Sequence, residues 1–137
     1  MGHDIAIVGI SCRFPGAADP QALWELLRTG TDAISRFDEA KRAGGFGTPE
    51  LALQENFVAA AGTIENIESF DAQFFGVPAR EAVVLDPQHR VFLECVYEAL
   101  EDAGIVLAEG GSDIGVFAGA SLNSYLIRNL ACDPRFL

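Results

Sequence analysis

Three cysteines, Cys12, Cys95 and Cys132, and two histidines, His3 and His89, are the side chains best suited to nucleophilic or proton-transfer chemistry in this chain. A cysteine nucleophile reacts as its thiolate, so it needs a group nearby that lowers its pKa, most often a histidine. Cys12 follows an apolar run in Gly9-Ile10-Ser11-Cys12-Arg13, with no histidine beside it, and reads as a small packed residue. Cys95 falls on the apolar stripe of a helical stretch, and Cys132 sits in Leu130-Ala131-Cys132-Asp133-Pro134. His89, beside Arg90, reads as a partly exposed helix residue, and His3 precedes the fold. Ser11 lacks the second glycine of a nucleophile elbow. Glu94 and Glu98 are one helical turn apart, and with Glu81 they read as a solvated face. Gly9, Gly16, Gly115 and Gly119 fit neither a triphosphate nor a dinucleotide loop, and read instead as close backbone packing around strands. No CxxC spacing suggests zinc or a disulfide framework, and a reducing, cytoplasmic setting fits the odd cysteine count. No catalytic, cofactor-binding or metal-ligating residue is therefore assigned.

The elements that carry these residues are marked mainly by caps. Asp86 suits an N-cap, and Pro87 suits the first helical position, where its missing N–H would have had no partner. Phe92, Cys95, Val96, Ala99, Leu100 and Ala103 recur at spacings of three and four, and Gly104 supplies a left-handed stop. This predicts a helix over residues 87–103 with that stripe in the core. Asp19-Pro20 repeats the signal ahead of Leu23, Trp24, Leu26 and Leu27, with Gly30 as the stop. Shorter helices are expected at residues 38–43, at Thr48-Pro49-Glu50 and at residues 78–85. Residues 122–130 read as a helix with Ser121 as its cap and Leu122, Tyr125, Leu126 and Leu130 on one stripe. Asp133-Pro134-Arg135 reads as a further helix entry. Residues 5–10 and 114–120 are nearly continuous apolar runs, the pattern of strands buried on both faces, and a further strand is expected near residues 57–61.

Composition bounds the function. Half of the 137 residues are hydrophobic, enough for a packed core and too many for a disordered tail. A net charge of −11 argues against nucleic acid and anionic membrane surfaces as partners. No apolar run approaches the ~20 residues of a membrane span, and Met1-Gly2-His3 lacks the basic start of a secretory signal. Two core strands are few for a sheet of the usual four to six or so.

Read as a string, Leu85-Asp86-Pro87-Gln88-His89-Arg90, with Phe92-Leu93-Glu94 and Glu98-Ala99-Leu100-Glu101-Asp102-Ala103-Gly104 behind it, closely resembles the ketosynthase domains of modular polyketide synthases. The resemblance continues in order along nearly the whole chain. Residues 4–16 are similar to the opening strand and loop of those domains, and Trp24-Glu25-Leu26-Leu27 with Gly30-Thr31-Asp32-Ala33-Ile34 to their first helix and its exit. Phe70-Asp71-Ala72-Gln73-Phe74-Phe75-Gly76 with Arg80-Glu81-Ala82, and Gly115-Val116-Phe117-Ala118-Gly119, match the later segments. The chain departs at Pro78-Ala79, where the family usually reads Ser-Pro, which shifts a turn proline by one position.

The resemblance implies an α/β fold, the thiolase-like layered mixed sheet and helices, with residues 1–137 as an incomplete N-terminal portion of a homodimeric domain. It implies decarboxylative Claisen condensation of acyl and malonyl-type thioesters delivered by acyl carrier proteins. The phosphopantetheine arm belongs to the carrier, so no cofactor is bound permanently. The family's Thr-Ala-Cys-Ser-Ser nucleophile and its two downstream histidines do not occur here, which makes this chain alone inactive by expectation. Many relatives carry glutamine at the position of His89, and an amide takes up no proton at neutral pH, which excludes an obligatory base there. Two other readings remain: a split fragment that complements the rest of the ketosynthase domain, and a small α/β binding domain of another kind that shares these motifs.

Overall fold

Asp19 and Pro20 start the first helix as their types predict. Helix α1 spans Pro20–Thr29; Asp19 is extended, and its Oδ1 accepts the Ala22 N–H at 2.7 Å. Gly30, at φ 65°, ends it in the left-handed region. The computed structural model describes residues 4–38, 54–106 and 114–136. The chain forms two compact units: Arg13–Glu65 on the one hand, Met1–Cys12 with Asn66–Leu137 on the other.

In Arg13–Glu65, α1 turns Leu23 and Leu26 toward cover, but Trp24 and Leu27, expected on the same covered face, are exposed. Two short strands, β1 (Ser35–Arg36) and β2 (Ala60–Ala61), pair antiparallel with Ser35 opposite Ala61. The pairing continues through the Phe37 N–H to the Ala59 carbonyl at 2.9 Å, so the strand expected near residues 57–61 is realised at its C-terminal end. Asp32 braces the entry to β1, accepting from the Ile34 N–H at 3.0 Å and the Arg36 guanidinium at 2.9 Å. The Ile34 N–H bond, followed by the Arg36 bond, lowers the Asp32 pKa. Of the helix expected at residues 38–43 only Asp38 is described, and it is not helical; the one expected at Thr48-Pro49-Glu50 lies outside the described residues.

In the other unit, a one-turn helix α2 (Ala79–Ala82) precedes the long helix α3 (Pro87–Asp102). Asp86 caps α3, its Oδ1 accepting the Gln88 N–H at 2.8 Å, and Gly104 at φ 66° follows it. The stripe expected to face the core is only half-buried at Cys95, Val96, Ala99 and Leu100, and Phe92 is exposed. At the start of α3 the buried residues are instead the polar pair Asp86 and Arg90. On a different face of α3, the partly exposed Tyr97 meets a cluster of aromatic rings. Phe74 meets Tyr97 edge-on at 4.8 Å between centroids, and Phe75 stacks on Phe70 at 5.2 Å.

Residues 5–10 and 114–120 do not take up the buried-strand role their apolar runs predict. Apart from half-buried Gly9 they are exposed, and neither forms a strand. A strand exists through its ladder, and among the described residues no backbone–backbone hydrogen bond involves residues 4–10 or 114–119. The last helical stretch also differs from expectation. It begins at Ser124, continues as the π-helical turn Leu126–Leu130, and is capped by Asn123, whose Oδ1 accepts the Leu126 N–H at 2.8 Å. Ser121 lies two residues too early to reach that donor. Leu130 is buried and Tyr125 half-buried, whereas Leu122 and Leu126 are exposed. Asp133-Pro134-Arg135 forms a turn held by an Asp133–Arg135 ion pair at 2.6 Å. The hydrogen bond from the Arg135 side chain holds the Asp133 carboxyl down at about 2.

Candidate functional site

The start of α3 is a hub built from its own motif. Arg90 turns back along the helix, and its Nε and Nη2 both donate to the Leu85 carbonyl, at 2.9 and 2.7 Å. Its guanidinium carbon also lies 5.9 Å from the centre of the Tyr125 ring, within cation–π range. Tyr125 in turn donates its hydroxyl to the Val83 carbonyl at 3.1 Å. Gln88 accepts the Ser121 N–H on its Oε1 at 3.1 Å. Two side chains of the Asp86–Arg90 motif thus fasten the 121–125 segment to the helix start.

Between these parts opens a cleft of about 630 Å³. Gln88, Arg90, Ser121, Tyr125, Arg128 and Glu68 supply its polar wall. Among the described residues its lining includes hydroxyls and guanidinium groups but no cysteine, and no histidine to activate a hydroxyl, so the lining is suited to holding a polar group.

A second constellation joins α3 to the first segment of the chain. The Ile10 N–H donates to Asp102 Oδ2 at 2.9 Å, and the Ser11 hydroxyl donates to Glu98 Oε2 at 2.6 Å. Gly9 lies so close to the helix that a Cβ there would strike the Ala99 carbonyl oxygen and stand 2.8 Å from the Ala103 nitrogen. Glu98, expected on a solvated face, is half-buried and bonded, which corrects that reading. Carboxylates one turn apart repel each other, and the two donors from residues 10 and 11 offset this. Asp102→Ala is expected to speed exchange of the Ile10 amide about tenfold, the effect of losing roughly 1.4 kcal/mol. Glu101→Ala is expected to leave that amide unchanged; residue-resolved hydrogen exchange compares the two.

The candidate nucleophiles and bases are scattered. Cys12 and Cys95 are half-buried, and Cys132 is exposed, its Sγ 3.5 Å from the Ile127 carbonyl oxygen. His89 is exposed, Glu81 pairs loosely with Arg80 at 3.8 Å, and Glu94 is half-buried. His3 lies outside the described residues. Among the described residues no cluster of three or more histidine, cysteine or acidic side chains is arranged to hold a metal ion. No helix of the described residues is long and apolar enough to cross a membrane. Tyr97 was not singled out by sequence spacing. Its hydroxyl bonds to Glu101, which is the main cause of its raised pKa, and its ring anchors the aromatic cluster.

Solved structures place this architecture among thiolase-like ketosynthase domains. The chain is similar to ketosynthase twelve of the bacillaene polyketide synthase of Bacillus amyloliquefaciens, with 37% identity and a TM-score of 0.60 over 70% of this chain and 17% of that one. It is similar also to the module 6 ketosynthase of the bacillaene synthase of Bacillus subtilis 168, with 36% identity and a TM-score of 0.59 over 72% of this chain and 16% of that one. The family model for the β-ketoacyl synthase N-terminal domain matches residues 2–134, and the chain belongs to that family. Among curated relatives, a phenolphthiocerol/phthiocerol polyketide synthase of Mycobacterium tuberculosis is 45% identical over 92% of this chain. Squalestatin tetraketide synthase of Cochliobolus lunatus is 45% identical over 97%. The chain spans 8% and 6% of the length of these two relatives.

Proposed function

We propose that residues 1–137 are the N-terminal portion of a polyketide synthase ketosynthase domain. In the complete domain a cysteine thiolate takes an acyl group from a carrier-bound thioester, releasing the carrier thiol. A malonyl-type extender on a second carrier arm then loses carbon dioxide, and the resulting carbanion attacks the acyl thioester, expelling the cysteine thiolate. The phosphopantetheine arms come from acyl carrier proteins, the domain acts as a homodimer, and the setting is cytoplasmic. The observation that carries this reading is the 37% identity to a solved ketosynthase together with a shared fold. The residues of this chain serve as scaffold in this reading: the Asp86–Arg90 hub fixes the 121–125 segment, and we assign no catalytic role to any residue of the chain.

The decisive experiment grafts this chain into the ketosynthase of the Mycobacterium tuberculosis relative in place of the region it matches. The soluble chimera is expected to load an acyl group from a carrier thioester, seen as an intact-mass increase. A folded, dimeric chimera that loads nothing would refute the reading. The chain by itself, given the same donor, is expected to remain unacylated at Cys12, Cys95 and Cys132. Stoichiometric acylation removed by replacing one of these would overturn the assignment of scaffold roles.

A further inference from the structure

We propose that the cleft beside the start of α3 binds a medium-chain organic carboxylate, its head on Arg90 and Arg128 and its apolar tail against Ile67, Pro87 and Leu122. The site is independent of the ketosynthase reading, since it draws on no acyl-transfer step. Arg90 is the anchor. It is 9% exposed, yet among the described residues no carboxylate lies within ion-pair distance of it. A guanidinium carries five N–H donors in a rigid fork. The edge made by Nε and Nη2 is spent on the Leu85 carbonyl, and Tyr125 meets the group through its ring. The other edge, made by Nη1 and the second Nη2 proton, has no acceptor among the described residues. A buried cation with an open two-donor edge is costly unless an oxyanion completes it, and a carboxylate accepts two such parallel bonds.

Charge selects the head. Asp86 lines the same cleft, but its Oδ1 and Oδ2 accept from the Gln88 N–H and side-chain amide, at 2.8 and 3.4 Å, at the positive end of α3. Arg90 and Arg128 are then opposed by Glu68. Arg128 is exposed, and among the described residues its guanidinium has no hydrogen-bond or ion-pair partner. One negative charge balances this cleft, whereas a dianion overshoots it in a chain already at −11. A carboxylate therefore fits better than a phosphate monoester. The hydroxyls of Ser121 and Ser124 in the same wall offer further donors. A cleft of about 630 Å³ is far larger than a lone ion and falls in the range of small-molecule sites, so the head belongs to a longer molecule. Ile67, Pro87 and Leu122 give the rest of that molecule an apolar wall.

The test titrates the 137-residue chain with octanoate, octyl phosphate and octanol, each below its micelle-forming concentration, by calorimetry and by amide chemical shifts. Octanoate is expected to bind at one site per chain and to shift the amides of Ser121, Ser124 and Arg128. Octanol has the same tail and no charge, and is expected to bind at least about tenfold more weakly, the effect of losing one charged hydrogen bond. Octyl phosphate is expected to bind more weakly than octanoate. Arg128→Ala is expected to weaken octanoate binding at least about tenfold, and unlike a change at Arg90 it leaves the Leu85 bonds in place. Arg80→Ala, at a side chain 87% exposed on α2, should leave the affinity unchanged. Absence of octanoate binding overturns the proposal, as does equal binding of octanoate and octanol. Octanoate binding indifferent to Arg128→Ala, or shifting only amides away from the cleft, overturns it too. Tighter binding of octyl phosphate would make phosphate the preferred head and overturn the stated ligand.

Discussion

Gly9→Ala is expected to detach the first extended segment from α3. The new methyl would overlap the Ala99 carbonyl oxygen and approach the Ala103 nitrogen to 2.8 Å and its Cβ to 2.9 Å. Two of these three neighbours are backbone atoms of a regular helix, which cannot rotate away as a side-chain tip can. The strain must therefore be relieved by moving residues 8–11 outward, which breaks the Ile10–Asp102 and Ser11–Glu98 hydrogen bonds together. A cost of about 3 kcal/mol is expected, at the upper end for an added methylene in a packed site. Hydrogen exchange at Ile10 and limited proteolysis after Arg13 would both report the release. Ala103→Gly should fail to rescue the variant, because it removes one of three obstacles and leaves the carbonyl oxygen. Full protection of Ile10 in Gly9→Ala would show that the close approach is not needed.

Arg90→Met is expected to be the most damaging change in the Asp86–Arg90 motif. Methionine fills similar space but offers no donor, so the Leu85 carbonyl loses both of its guanidinium bonds and Tyr125 loses the cation beside its ring. A hydrogen bond from a charged group contributes roughly 1.5–3 kcal/mol, which sets the expected loss of stability at about 2 kcal/mol or more. Arg90→Lys should recover only part, because an ammonium cannot present two parallel N–H groups to one carbonyl. Thermal unfolding ranks the three proteins, and weakened Ser121 amide protection would show the damage spreading to the 121–125 segment. Equal stability of the unsubstituted protein and Arg90→Met would refute the hub.

What could be read in the sequence was the local chemistry. Asp19-Pro20, Asp86-Pro87, Gly30 and Gly104 act within four residues of themselves, and the helices start and stop where they indicate. The partnerships across the chain could not be read this way. Ser11 meets Glu98 and Gln88 meets Ser121 over long separations that no periodicity encodes. The runs at residues 5–10 and 114–120 carry the composition of double-sided strands but form none, because a strand depends on backbone partners, and among the described residues none pairs with residues 4–10 or 114–119. The α3 stripe fails at Phe92 for a related reason, since spacing identifies which side chains share a face and not what covers it. One sequence clue was available and missed. Glu98 and Asp102, like charges one turn apart, call for donors between them.

The bond between Ile10 and Asp102 spans 92 positions of the chain, and this has a bearing on how the protein is made. Ribosomes add about 5–20 residues per second, so after Ile10 is synthesised Asp102 follows only some 5–20 seconds later. Throughout that interval Gly9, Ile10 and Ser11 have no helix to dock on, while α1 and the β1–β2 pair need only nearby sequence and form early. The nascent chain thus carries the apolar run at residues 5–10 unanchored for that interval, which is the profile of a client for chaperones that bind short apolar stretches at the ribosome exit.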